Sequence, residues 1–416
     1  MNIVATKLPD FEEIVIKFLE KGKDNILNQL SLLLEQIDDK LCLRRHKSLK
    51  IIKFKQRSIL TDFGVITFKR RYYLDTENNE YLYLLDTKLK IPKRVKVLSN
   101  IKLRVIEAAA EMSYSKAGYY AAPQDYPLSK STVYRYIKDA CIYVKPNNFI
   151  KDNADIIHVQ IDEKYLHILG NKRKKKYVTA TIFKGRKYIG KKSRIKLENR
   201  TILSAKNEKL IFEKINKTLE QKYKVNQDDE IYLSGDFAQY IQQSESKIYV
   251  CKAKYVPDKY HLKAAMLKET GFVATDNDLK DPDCIEAIIE SLKDCKSVDG
   301  IKLRTFLKKN PGRLKEYSNP SYLGCSQEGM NSHYYASRFG KLPMKIGMKN
   351  LQVLTKLIEA KQNNSEVKIG FVNEYYIEPT KFTCSMWNLK EEKFVLDTRG
   401  MEPQSRKMFE HIKYGC

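Results

Sequence analysis

Apolar residues recur at three-to-four spacing over residues 11–44 (Phe11, Ile14, Val15, Phe18 and Leu19, later Leu30, Leu33, Leu34 and Ile37), and this period predicts a helix. The period then shortens. ILTDFGVITFKRRYYL reads as two strands joined by a tight turn at Asp62-Phe63-Gly64, and YLYLLD (81–86) adds a third, so 45–90 is expected to form a small β unit. Helical spacing returns over 101–140. IKLRVIEAAAEM is followed by SYSKAGYYAA, a turn bearing Pro123 and Pro127, and SKSTVYRYIKDA, for which Ser129 or Ser131 can act as the cap.

After residue 145 the pattern changes again. IIHVQID (156–162), KYLHIL (164–169) and KKYVTATIF (175–183) read as strands, and 205–223 as a helix through Leu210, Ile211, Ile215 and Leu219. IYLSGD (231–236) reads as a short buried strand, AQYIQQS as a short helix and KIYVCKA (247–253) as a further strand. Residues 262–320 are mostly helical, with a last helical element around 326–358. The expectation is a multidomain α/β chain. A helix and small β unit occupy 1–100, a helix-turn-helix region 101–145 and an α/β domain 150–360 with a helical insertion at 262–320; 361–416 takes no assignment.

Composition narrows the class. The chain has 416 residues, 42% of them hydrophobic, which is enough for a buried core and excludes wholesale disorder. No apolar run reaches the ~18 residues of a membrane span, and the acidic Asp10, Glu12 and Glu13 do not fit a signal peptide. The eight Cys are scattered without a C-x-x-C, so reduced thiols and a cytoplasmic protein are expected.

Charge adds a partner. The chain carries 77 Lys and Arg against 51 Asp and Glu, a net +26. Residues 171–200 hold thirteen Lys or Arg and one acid, including the run Lys172, Arg173, Lys174, Lys175 and Lys176. Residues 301–350 hold ten basic residues and two acids, Glu316 and Glu328. Such asymmetry predicts a phosphate-binding surface, with nucleic acid as partner. The two short helices and break at 113–138 fit a helix-turn-helix, whose second helix would offer Lys130, Ser131, Thr132, Tyr134 and Arg135 to phosphates and base edges.

The order β-β-β-α-β-α-β is that of a ribonuclease-H-like domain, in which the first and fourth strands are parallel neighbours. Asp162 and Asp236 end those two strands, and Glu328 is the candidate third carboxylate. In-line attack on a phosphodiester needs two divalent ions about 3.5–4 Å apart, and hard carboxylate oxygens suit Mg²⁺, with Mn²⁺ as substitute. Asp258 and His261 in VPDKYHLK fall near the start of a helix and are expected to support the metal ligands from behind.

QIDEKYLHI, YLSGDFAQYI, YVPDKYHLK and CSQEGMNSHYYASRFG, with LTDFGVITFKRRYY and LSKSTVYRYIK upstream, resemble bacterial insertion-sequence transposases of the ISLre type, within the Mutator-like group of DDE transposases. The resemblance spans roughly residues 10–360. It implies a catalytic triad at Asp162, Asp236 and Glu328, with Glu316 and Glu286 as rivals for the third position, and that group's D-x-x-H motif at Asp258 and His261. It also implies cleavage and joining of double-stranded DNA at terminal inverted repeats, a target DNA, and a homo-oligomer that pairs two ends beside the nucleoid. A non-catalytic DNA-binding regulator, a decayed transposase and a structure-selective nuclease are the alternatives.

Overall fold

The computed structural model describes residues 10–145, 156–189, 194–325, 335, 337–340 and 345–371. Its first part comprises α1 (Asp10–Leu43), β1 (Leu49–Thr61), β2 (Gly64–Asp75), β3 (Glu80–Leu82) and α2 (Leu84–Lys88). The three strands form an antiparallel sheet in the order β1-β2-β3. The third strand is shorter than the sequence suggests, because the chain turns into α2 at Leu84 and Leu85 goes to the core. α1 covers the stretch of β2 that β3 does not reach. Ser31 donates to the Thr67 carbonyl, Glu35 accepts from the Lys69 amide and Asp38 from the Arg71 amide. Three side chains at near-helical spacing thus satisfy an edge that would otherwise invite another strand.

The next part comprises α3 (Ser99–Glu111), α4 (Tyr114–Tyr120), α5 (Lys130–Asp139) and β4 (Ala140–Val144). Ser113 caps α4, and Ser129, not Ser131, caps α5 by accepting from the Thr132 amide. Nine residues, 121–129, separate α4 from α5, against the three or four of a compact helix-turn-helix. Gly118 lets the long turn close, since a Cβ there would stand 2.0 Å from the Leu128 carbonyl oxygen.

The remaining elements are β5 (Ile157–Leu166), β6 (Lys175–Phe183), β7 (Gly185–Ile189), β8 (Arg194–Glu198), β9 (Thr201–Ala205), α6 (Glu208–Gln221), β10 (Glu230–Gly235), α7 (Gln239–Gln242), β11 (Lys252–Pro257), α8 (Lys259–Thr270), α9 (Pro282–Ser291), α10 (Val298–Lys309), α11 (Pro311–Lys315), α12 (Ser337–Phe339), α13 (Met348–Gln362) and β12 (Val367–Phe371). Five strands form one mixed sheet, β11-β10-β5-β6-β9. β5, β6 and β9 are antiparallel neighbours, whereas β10 runs parallel to both β5 and β11.

Here the sequence reading needs correcting. Residues 156–162 and 164–169 do not form two strands; they are one, β5. The third strand of the meander is β9, whose five residues are all buried, and the basic β7–β8 ribbon comes before it. The strand after α7 begins at Lys252 rather than at residue 247.

One hydrophobic cluster unites α6, the sheet and the helices of the expected insertion, from Leu262 and Met266 to Leu307 and Tyr322. A second joins α3 and α5 to Leu166, Tyr177, Ile202 and α13. The second crosses the boundary expected near 145–150, and β4 pairs with β12, so the helices of 101–145 share a core with the α/β part. Met1–Asn373 form one unit and Glu374–Cys416 another, the latter outside the described residues.

His158 lies in this core, 2% exposed, stacked between Phe183 and Tyr232. Burial and the neighbouring Arg186 charge push its imidazole down to about 4. It is therefore neutral in the folded protein, while an unfolded chain takes up the proton near pH 6.5. The resulting stability is complete above pH 6.5 and is lost as the pH falls towards 4, by roughly 3 kcal/mol. His158→Phe keeps the stack and removes the titration. Its melting temperature is expected to fall less than that of the parent between pH 6.5 and 4; parallel curves would rule the mechanism out.

Candidate functional site

The site is built where β10 ends beside the middle of β5. Their register pairs Gly235 with Ile161, so Asp236, just past the end of β10, stands beside Asp162 on strands about 4.8 Å apart; Asp162 is not the strand end that the sequence suggested, because β5 stays paired with β6 as far as Leu166. Gly235 permits this approach. A Cβ there would stand 2.5 Å from the Ile161 carbonyl oxygen and 2.8 Å from Ile241 Cγ2. Gly235→Ala should push the strands apart, cost about 1–3 kcal/mol and misplace Asp236, which urea unfolding and a metal-binding titration would detect together.

Ile161, Asp162, Gly235, Asp236, Asp258, His261 and Cys325 line one small cleft. Each acid is held by the backbone around it. Asp162 Oδ1 accepts from the Glu163 amide at 2.6 Å, and Asp236 Oδ1 from the Ala238 amide at 3.0 Å. The Tyr255 hydroxyl donates to the Asp236 carbonyl at 2.8 Å. Asp258 caps α8, its amide bonds the Gly235 carbonyl, and its Oδ2 lies 2.6 Å from His261 Nδ1.

The electrostatics are those of concentrated negative charge. Burial pushes the Asp236 carboxyl up, the Ala238 amide draws it partly back, and the charges of Glu163 and Asp162 push it further. The bond to Asp258 holds the His261 imidazole above its ordinary value, with Asp236 and Asp162 adding to the effect. Among the described residues, no three His, Cys, Asp or Glu side chains close on a single point as a complete cation cage.

Glu163, next to Asp162, has a different role. Strand alternation sends it to the other face, where it accepts from the Tyr165 hydroxyl at 2.7 Å and meets the Lys176 ammonium at 3.2 Å. Lys176 also bonds Glu208 at 2.5 Å and lies 4.2 Å from the Tyr240 ring centroid. Lys176 is thus engaged inside the protein rather than offered to DNA, unlike Lys172, Arg173, Lys174 and Lys175, which are exposed. On α5, Lys130, Ser131, Tyr134 and Arg135 are exposed opposite the buried Val133 and Ile137, while Thr132 is half-buried with its hydroxyl on Ser129.

Glu328 and His333 lie outside the described residues. Of the rivals to Glu328, Glu286 is exposed on α9, and Glu316 accepts from the Tyr232 hydroxyl and Asn319; neither lines the cleft. His167 is exposed just beyond β5.

The sequence reading missed the supports. Gln160 and Arg186 both donate to the Gly324 carbonyl, at 2.8 and 3.0 Å, and so fasten the segment that brings Cys325 to the cleft. The available signal was Gln160 itself, a polar residue inside an apolar strand, here fully buried.

No helix among the described residues is long and apolar enough to cross a membrane. A UPF0236 protein of Caldanaerobacter subterraneus subsp. tengcongensis, whose name joins eleven locus designations, is 25% identical over 386 residues, 88% of this chain and 79% of its own length. Another from the same strain, its name joining four designations, is 26% identical over 343 residues, 78% and 72% of the two lengths. The profile described as Uncharacterised protein family (UPF0236) matches residues 5–374, most of the chain, and the protein accordingly belongs to the UPF0236 family.

Proposed function

We propose that this protein is a DNA transposase with a ribonuclease-H-like catalytic domain, which cuts an insertion sequence at its terminal repeats and joins the ends to target DNA. The observation that carries the reading is the meeting of Asp162, within β5, and Asp236, at the end of the adjacent parallel β10, in one cleft of a sheet ordered β11-β10-β5-β6-β9. The parallel pairing of β5 with β10, beside the antiparallel β5-β6-β9 meander, supports the ribonuclease-H-like reading. The eleven locus designations in one relative's name favour an element copied within a genome over a single-copy regulator or nuclease.

The donor set fits divalent magnesium. Hard carboxylate oxygens gather in one cleft, where the Asp236 carboxyl, raised chiefly by burial, also meets the charges of Glu163 and Asp162 that a cation would offset. Asp162 and Asp236 would hold the ions, with Glu328 as the third ligand. Cys325 lines the cleft and Glu328 is three residues further on, a reach of at most about 11 Å. Bound magnesium would supply activation of the attacking oxygen and stabilisation of the leaving one. The protein's own part is to fix the carboxylates through the Glu163 and Ala238 amides and to hold Asp258 and His261 at the cleft wall. The exposed lysines of 172–175 and the open face of α5 would carry DNA, and pairing two ends calls for at least two copies of the chain.

The test is incubation with Mg²⁺ or Mn²⁺ and DNA carrying the inverted repeats that flank the gene. Metal-dependent nicking at the repeat ends, followed by strand joining, is the expected result. Binding without cutting would assign a regulator or a decayed transposase, and cutting of branched DNA regardless of end sequence a nuclease.

A further inference from the structure

Between Lys40 and Thr61 the chain has eight Lys or Arg and no Asp or Glu. This third basic block covers the end of α1 and all of β1. Arg57 is consumed inside the fold by Asp86. Lys47, Lys50 and Lys53 are exposed and meet no carboxylate among the described residues. Ile51, Ile52 and Phe54 stand among them, 41%, 47% and 58% exposed.

β1 is also an edge strand. β2 pairs with it on one side, and its other side is bridged only at Leu60, to Val97, among the described residues. Its half from Lys50 to Gln56 therefore presents unpaired backbone, apolar side chains and positive charge together. An open apolar edge invites another strand, but a second copy of the same edge would set these lysines against one another. A purely solubilising surface has no need of the exposed Ile and Phe side chains.

We propose that this end of β1, the open edge of the β1-β2-β3 sheet, is a DNA-contacting surface, separate from the cleft and from α5, with Lys47, Lys50 and Lys53 on phosphates. Charge complementarity selects a polyanion, and strands of a sheet are among the elements that proteins lay in a DNA groove. Exposed apolar side chains between the lysines suit sugar edges and thymine methyl groups. The choice of DNA as the polyanion rests on the function proposed above.

The experiment compares the full chain with a Lys47→Gln, Lys50→Gln, Lys53→Gln variant, titrating labelled duplex DNA at several salt concentrations. Each phosphate contact contributes about 0.9 to the slope of log K against log salt. The variant is expected to lose roughly 2–3 from that slope and at least about tenfold in affinity at low salt, with an unchanged melting temperature because these side chains are exposed. An unchanged slope overturns the proposal while the proposed function stands. Unchanged DNA affinity with an altered oligomeric state would assign the surface to a protein partner and also overturns it. If the parent protein binds no duplex at all, the proposed function fails first.

Discussion

Asp236→Asn is expected to lower metal-dependent strand cleavage by about 10³-fold or more, since the ligands of a catalytic ion supply several kcal/mol of transition-state stabilisation. Duplex affinity should stay near the parental value, because Asp236 faces the cleft and not the basic surfaces. The same substitution should raise the melting temperature without metal. Asp236 is half-buried, burial raises its carboxyl, and Glu163 and Asp162 both oppose its charge, so the neutral amide relieves a cost the folded state otherwise carries. Mn²⁺ should in turn raise the melting temperature of the parent and leave the variant nearly unchanged. A variant that cleaves as well as the parent would remove Asp236 from the chemistry. One that loses both cleavage and fold would instead make Asp236 structural, and the metal-free melting curve separates the two.

The largest effect on stability is expected far from the cleft, at Asp86. Its carboxylate pairs with Arg57 at 2.6 Å and also with Arg70, in a setting where all three side chains are almost fully buried. Arg57 donates further to the Pro92 and Val95 carbonyls, and Arg70 lies 3.6 Å from the centroid of the Tyr83 ring. Burial and the adjacent Arg57 charge already push the Arg70 guanidinium down to about 10. Asp86→Ala removes the one carboxylate that both guanidiniums share. Breaking a buried pair by removing one partner costs about 3–5 kcal/mol, because the remaining charge stays buried without its counterion. The loss should appear in urea unfolding as a lower midpoint. Cleavage per folded molecule should change little, since the cleft lies in a different hydrophobic cluster. A loss below about 1 kcal/mol would mean that water reaches these groups and that the pair is worth no more than a surface one.

Local pattern carried much of the architecture. α1, β6 and α6 follow from apolar spacing alone, and Ser129 marks the start of α5, because helix and strand periods are written within a few consecutive residues. The acids that follow two apolar runs also pointed to Asp162 and Asp236, although β5 continues past Asp162 to Leu166. Other features left no local trace. β9 is five residues long and merges in sequence with the helix that follows, and the charge of 185–198 hides a two-stranded ribbon. The expected strands at 156–162 and 164–169 are one because Glu163 pairs across to Val178 without a break, its charge met by Lys176 on one face of the sheet.

The sequence by itself determined most helices and strands, where positive charge accumulates, and which acids follow apolar runs. Only the tertiary structure decided that β10 lies between β5 and β11, so that Asp162 and Asp236, 74 residues apart, share a cleft with Asp258, His261 and Cys325. It also decided that Lys176 faces inward while its four basic neighbours face outward. The physical reason is that side-chain direction and element type depend on near neighbours in the chain. Adjacency depends on which apolar faces bury one another, and that free energy is summed over the whole core.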